Sequence, residues 1–210
     1  ALRRIIETRG VCALLMDPGV GKTAVAIDYA SALALKVERP VRVLVLAPLA
    51  ALDSWVGQTS HFAAEGVNVW AEALGGSIAQ RAKVLAARGP HRPDPREGER
   101  RTLAWAGVDS TGAYRATASL SKRSHWDAMQ TGPGLILEVV SLDSLGQRRA
   151  VTKTKTTADL VHLAVKKFTP DLIVIDESHR IKGASANVSR TAARLTRLAP
   201  RRLILTGTVM

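Results

Sequence analysis

The chain has 210 residues, 46% hydrophobic and 23% charged, with a formal net charge of +12. That size and composition describe one globular α/β domain with room for a proper core, and Cys12, the only cysteine, excludes a disulfide framework or a cysteine-based zinc site. No apolar run reaches membrane-spanning length without a break, and no signal-peptide pattern opens the chain. The expectation is a soluble intracellular protein.

The charge is unevenly spread. Residues 1 to 80 carry seven basic and seven acidic side chains, residues 81 to 170 sixteen and eight, and residues 171 to 210 seven and three. A polyanion is therefore an expected partner, because clustered Lys and Arg that neutralise phosphates release counterions; a solvated basic surface is the plain alternative.

ALRRIIETRG reads as a short helix closed by Gly10, and its start without methionine suggests a piece of a longer protein. VCALLMDPGVGKTAVAIDYASALAL, Val11 to Leu35, then reads as strand, glycine loop and helix. Such a loop presents successive backbone N–H groups at a helix N-terminus, where orphan amides and the macrodipole favour an anion. Gly19, Val20 and Gly21 would let the backbone approach a phosphate. Lys22 would reach the β and γ phosphates of ATP, and the Thr23 hydroxyl would ligate Mg²⁺. The full G-x-x-x-x-G-K-[ST] pattern fails at Met16, leaving GxGKT. A bare linking turn would explain the glycines but not the lysine and threonine.

VRVLVLAP is a near-continuous apolar run, as expected of a strand buried on both faces of a parallel sheet. LAALDSW starts a helix in which Trp55 is a core anchor. Val67 to Trp70 is a short strand candidate. Ile78 to Ala87 has the spacing of an amphipathic helix, with Arg81, Lys83 and Arg88 on or near its polar side. Residues 87 to 101 are crowded with proline, glycine and charge and read as an exposed loop. Residues 102 to 120 suggest a hairpin turning at Asp109 to Gly112, and residues 121 to 130 a helix. An exposed basic insertion is thus expected at about 88–130. Leu135 to Leu142 is another apolar strand, Arg148 to Lys155 a basic linker, and Ala158 to Phe168 a helix.

DLIVIDESHR is an apolar strand that stops at two carboxylates. Acids after a buried strand sit at the carboxyl edge of the sheet, where ligands bind in open α/β folds. Asp176 would hold Mg²⁺, and Glu177 would orient or deprotonate the water that attacks the γ phosphate. Ser185 or Asn187 can cap a helix running to about Ala199, with Val188, Ala192, Leu195 and Ala199 on its packed side. Arg190, Arg194, Arg197 and Arg201 form a basic stripe on another. RRLILTGTVM supplies a last strand and a turn.

GVGKT, VLVLAPLAALDSW, DESHRIKG and LILTGT, in that order, resemble motifs I, Ia, II and III of the superfamily 2 helicases. The tryptophan that ends the second and the RIKG after the acids most resemble the Swi/Snf-type family of DNA-dependent ATPases. The resemblance runs from about Leu2 to Met210. It implies a three-layer α/β/α RecA-like first motor lobe with a mostly parallel sheet, which works with a second RecA-like lobe to move along double-stranded DNA using ATP and Mg²⁺. By position, Gly19, Gly21, Lys22 and Thr23 would bind the triphosphate and metal, and Asp176 and Glu177 would be the metal-binding acid and catalytic base. His179 would link the nucleotide site to the last motif. Thr206, Gly207 and Thr208 would transmit nucleotide state, and Pro48, Leu49 and Ser141 would lie near the DNA backbone.

The chain departs from that pattern in several places. Met16 and Pro18 replace commoner residues of the loop, and Ser178 makes DESH rather than DEAH. Val209 takes the place of a proline, leaving the turn after Thr208 less constrained. The glutamine segment that usually reads adenine and the second lobe with its arginine fingers lie outside these residues. Alternatives are a strand-separating helicase on DNA or RNA, including a restriction type, and a nucleic-acid-binding module with an inactive nucleotide site. A small-molecule kinase would not account for LTGT. Arginine fingers contribute roughly 10³ to 10⁵ in rate in P-loop NTPases. The 210-residue piece is therefore predicted to bind ATP weakly and hydrolyse it hardly at all; rapid, DNA-stimulated turnover by this piece alone would contradict that.

Overall fold

The computed structural model describes residues 1–17, 19–88, 106–108, 114–116, 132–146, 156–181 and 186–207. Its strands are β1 (Val11–Leu15), β2 (Pro40–Ala47), β3 (Asn68–Leu74), β4 (Ala106–Val108), β5 (Tyr114–Ala116), β6 (Gly134–Ser141), β7 (Leu172–Ile175) and β8 (Arg201–Thr206). The helices are α1 (Leu2–Glu7), α2 (Lys22–Val37), α3 (Leu52–Phe62), α4 (Ile78–Ala87), α5 (Thr157–Phe168) and α6 (Asn187–Thr196), joined in places by short 3₁₀ turns. Six strands form one sheet in the order β1, β8, β7, β2, β6, β3, and every pairing in it is parallel.

Parallel strands need crossovers, and the crossovers place helices on both faces. α1, α2 and α3 cover one face, packing on Val43, Val45, Leu135, Leu137, Val174 and Leu203. The other face, with Leu44, Leu46, Ile136, Ile173 and Ile175, is covered by α4, α5 and α6. This is the three-layer α/β/α architecture expected from the sequence. β2 shows why its apolar run is unbroken: its residues alternate between two cores, and seven of its eight positions are buried.

Gly10 closes α1 at φ +78°, where a side chain would run into the Tyr29 hydroxyl of α2. Within the hairpin expected in residues 102 to 120, β4 and β5 pair antiparallel, with Val108 opposite Tyr114, and the turn expected at Asp109 to Gly112 lies outside the described residues. The helix expected at residues 121 to 130, the basic linker at 148–155, most of the exposed loop at 87–101 and Thr208 lie outside the described residues.

Three expectations are corrected. β3 runs on to Leu74 rather than stopping at Trp70. α6 begins after Ala186 without a side-chain cap and ends at Thr196, and Arg201 belongs to β8, so the four arginines do not form one helical stripe. Arg194 of that set instead meets Asp159 at 2.8 Å. That hydrogen bond, with a second from the Thr156 N–H, holds the Asp159 carboxyl well below the usual carboxylate range.

The third correction is Arg88, which is not on a polar side but 4% exposed. Its Nη2 lies 2.7 Å from Oε2 of Glu72 and its Nε 3.6 Å from Oε1 of Glu138, while the guanidinium stacks 4.7 Å from the centroid of the Trp70 ring. Glu72 and Glu138 are paired neighbours on β3 and β6 and point under α4. Two buried carboxylates side by side are tenable only with a counter-charge, so Arg88 pins the end of α4 to the sheet. Removing one partner of a buried ion pair leaves the other uncompensated. Arg88→Met is expected to lower the unfolding free energy by about 3–5 kcal/mol, measured by urea denaturation, and adding Glu138→Gln should recover part of the loss.

Candidate functional site

β1 and β7 end on the same carboxyl edge, with β8 between them. Two strand spacings separate them, or about 10 Å. Leu15 is in register with Thr206, and the Met16 N–H continues the ladder to the Thr206 carbonyl at 3.2 Å. The glycine loop, the turn after β8 and the acids after β7 therefore stand side by side on one rim.

α2 begins at Lys22 because Gly21, at φ +84°, turns the chain into it, and the Val25 N–H bonds the Gly21 carbonyl at 3.0 Å. Gly19 is also left-handed at φ +81°; a Cβ there would meet nothing within 4 Å, and one at Gly21 would meet only Ala24 at 4.0 Å. The loop thus has open space over its backbone. Lys22, 8% exposed, folds across its own loop and donates to the Met16 and Asp17 carbonyls, each at 3.0 Å. An ammonium has three donors, so one N–H remains for an incoming anion. Val20 is exposed, and Thr23, the second residue of the helix, is half-buried.

The strand alternation of β7 sends Leu172, Val174 and then Asp176 to the face covered by α2 and α3. The Asp176 N–H bonds the Leu46 carbonyl of β2 at 2.9 Å, so the acid is anchored as the strand ends. Its Oδ1 accepts the Glu177 N–H at 2.9 Å and its Oδ2 accepts the Trp55 indole N–H at 2.8 Å. Glu177 is left-handed at φ +49°, a conformation that costs a non-glycine residue about 1–2 kcal/mol. His179 Nδ1 stands 3.0 Å from Glu177 Oε2, an ion-pair distance without hydrogen-bond alignment.

The remaining sequence-predicted residues are spread along the same edge. Thr206, the last residue of β8, is buried and Gly207 after it half-buried, between the loop and the acids. Pro48 and Leu49 follow β2, and Ser141 ends β6, directly beside Ala47. Pro48 is buried, Ser141 is 3% exposed, and Leu49 is 65% exposed with its N–H 3.3 Å from Asp143 Oδ2.

These residues fit a magnesium-bound triphosphate. The loop has room for a phosphate, and the Thr23 hydroxyl and the Asp176 carboxylate are the oxygen donors that a hard cation takes. Among the described residues no group of three or more His, Cys, Asp or Glu could hold a metal. Mg²⁺ needs no such cage, since it usually binds through one or two carboxylates plus substrate phosphates and water. The sequence reading missed the bond from Trp55 to Asp176. Its only trace in the sequence is a tryptophan one turn into a helix that follows a buried strand.

A parallel sheet with a glycine-loop strand at its rim and an acid pair two strands inward defines a RecA-like lobe. The chain belongs to the SNF2-related domain family, whose profile matches residues 7–210. Among solved structures it is similar to the SWI2/SNF2 ATPase core of Sulfolobus solfataricus in complex with double-stranded DNA (TM-score 0.54, 17% identity, covering 99% of this chain and 30% of that one). It is also similar to a nuclease-deletion mutant of the Type ISP restriction-modification enzyme LlaGI in complex with a DNA substrate mimic (TM-score 0.54, 17% identity, 98% and 16%). The ATP-dependent Type ISP enzyme LlaBIII bound to DNA is a further likeness (TM-score 0.53, 15% identity, 98% and 12%). The chain thus spans less than a third of the length of each of these structures. No curated protein sequence matches it. Among the described residues no helix is long and apolar enough to cross a membrane.

The backbone at Glu177 generates a prediction. Glu177→Gly relieves the left-handed strain and keeps the N–H that bonds Asp176. It should raise stability by about 1 kcal/mol in urea denaturation. A stability equal to or below that of the native chain would show that the side chain of Glu177 offsets its own strain.

Proposed function

We propose that this chain is the ATP-binding lobe of a DNA-dependent motor that, joined to a second RecA-like lobe, couples ATP hydrolysis to movement on double-stranded DNA. The observation that carries the reading is the common rim: the loop before Lys22 and the acids after β7 flank the turn after β8. Membership of the SNF2-related family supports it, as does the basic excess of residues 81 to 170.

In this reading the amides of Gly19, Val20 and Gly21 cradle the β phosphate and Lys22 turns its remaining N–H to a phosphate oxygen. Thr23 and Asp176 hold Mg²⁺, which when bound offsets the negative charge of the phosphates and eases attack by water. Glu177 accepts the proton of that water, and His179, whose Nδ1 stands 3.0 Å from its Oε2, limits its swing. Thr206 ends the strand between loop and acids and Gly207 follows it, so a change at either reaches them first; Thr208 takes the same role by its place in LTGT. Pro48, Leu49 and Ser141 occupy the far part of the same edge, on the side proposed for the DNA backbone.

An inactive nucleotide site would have no chemical need for Lys22, Thr23, Asp176 and Glu177 together. A strand-separating helicase or a restriction-type motor would share every one of these features, and a duplex-unwinding assay separates it from a pure translocase. In the full-length protein, Lys22→Ala should lower DNA-stimulated ATPase by about 10²-fold or more, as loss of one charge-stabilising donor does elsewhere. Unchanged turnover, measured by phosphate release with and without duplex DNA, would refute the assignment.

A further inference from the structure

We propose that Trp55 is a positioning residue for Asp176, its indole N–H fixing the carboxylate in the orientation in which it takes the divalent cation of the nucleotide. The inference rests on the nucleotide-site reading above and adds to it a residue from α3, a helix that carries none of the predicted site groups.

Trp55 and Asp176 are 121 residues apart in sequence, yet Nε1 and Oδ2 lie 2.8 Å apart, with the tryptophan 2% and the aspartate 9% exposed. An indole buried in an apolar layer needs an acceptor, and a backbone carbonyl would serve; the acceptor here is the carboxylate that ends β7. The nature of the donor matters. Neither the indole N–H nor the Glu177 N–H carries charge, so the two bonds hold Oδ2 and Oδ1 without neutralising the group. An Arg or Lys in the same place would compete with a cation for it, as Arg88 would at Glu72. A carboxylate has about four lone-pair sites, and the described residues leave two of them open.

The holder is itself rigid. Trp55 sits within the core between the sheet and α2, and its carbonyl accepts the Thr59 hydroxyl at 2.7 Å one turn on. Hydrogen-bonding partners behind a metal ligand commonly decide metal affinity, because they fix the ligand's plane before the ion arrives.

The test uses ADP with MgCl₂ as the probe and the chain labelled with ¹⁵N at its tryptophans. The Trp55 indole resonance is identified by its loss in Trp55→Phe. It should move in the isosteric Asp176→Asn variant, where a neutral amide replaces the charged acceptor, and again when Mg·ADP binds the native chain. In Trp55→Phe the half-saturating Mg²⁺ for ADP binding should rise about 10-fold, while ADP binding in EDTA stays at the native level. If that variant does not fold, the Trp55 resonance is assigned by elimination, from the signals lost in single Phe substitutions of the three other tryptophans, and its response to Asp176→Asn and to Mg·ADP decides the matter. An indole resonance indifferent to Asp176→Asn, or an unchanged Mg²⁺ requirement in folded Trp55→Phe, overturns the inference and leaves the site intact. A native chain whose ADP binding is insensitive to Mg²⁺ overturns the site reading and this inference with it.

Discussion

All six strands of the main sheet run the same way, and most of what this molecule can do follows from that direction. A parallel strand must be reached by a crossover, and the crossovers wrap both faces in helices. Polar chemistry is thereby driven off the faces to the rims, where each strand hands the chain to a loop. The lysine of α2, the acids after β7 and the threonine that ends β8 share one rim because every strand delivers its last peptide there. No long-range attraction among them is required.

Charge inside this domain is handled in two ways. In the layer under α4, Glu72 and Glu138 are answered by the guanidinium of Arg88, charge against charge, and the group is shut away from solvent. At the rim, Asp176 is answered by two neutral N–H donors. The first arrangement offsets part of its charge and ties a helix to the sheet. The second keeps its field and only fixes its direction, which suits the cation-holding role proposed for it.

Much of this was legible from the residues. Uninterrupted Val and Leu named the strands of a two-sided sheet, and the order of glycine loop, acid pair and LTGT placed them on a common fold. Two of the failures share a cause, which is that only the fold shows a charged residue to be buried. The strand expected at Val67 to Trp70 falls short of Glu72, which only the fold brings to Arg88. Arg88 was placed on the wet side of its helix for the same reason. The end of α6 was set too late because Ala199 keeps helical spacing, although it packs from the turn beyond the helix. Trp55 was rightly a core residue, but periodicity speaks only of which side a ring faces and says nothing of what its N–H touches.

The stretch between Arg88 and Gly132 is attached with some economy. It leaves from the buried guanidinium at the end of α4 and returns where the Asn68 N–H bonds the Pro133 carbonyl, at the start of β3 and β6. Those strands begin on the side of the sheet opposite the rim that carries Lys22 and Asp176. The return stem at Pro133 therefore stands at the edge of the sheet away from the cleft, so a change there meets the start of β3 and β6 and not the loop of Lys22.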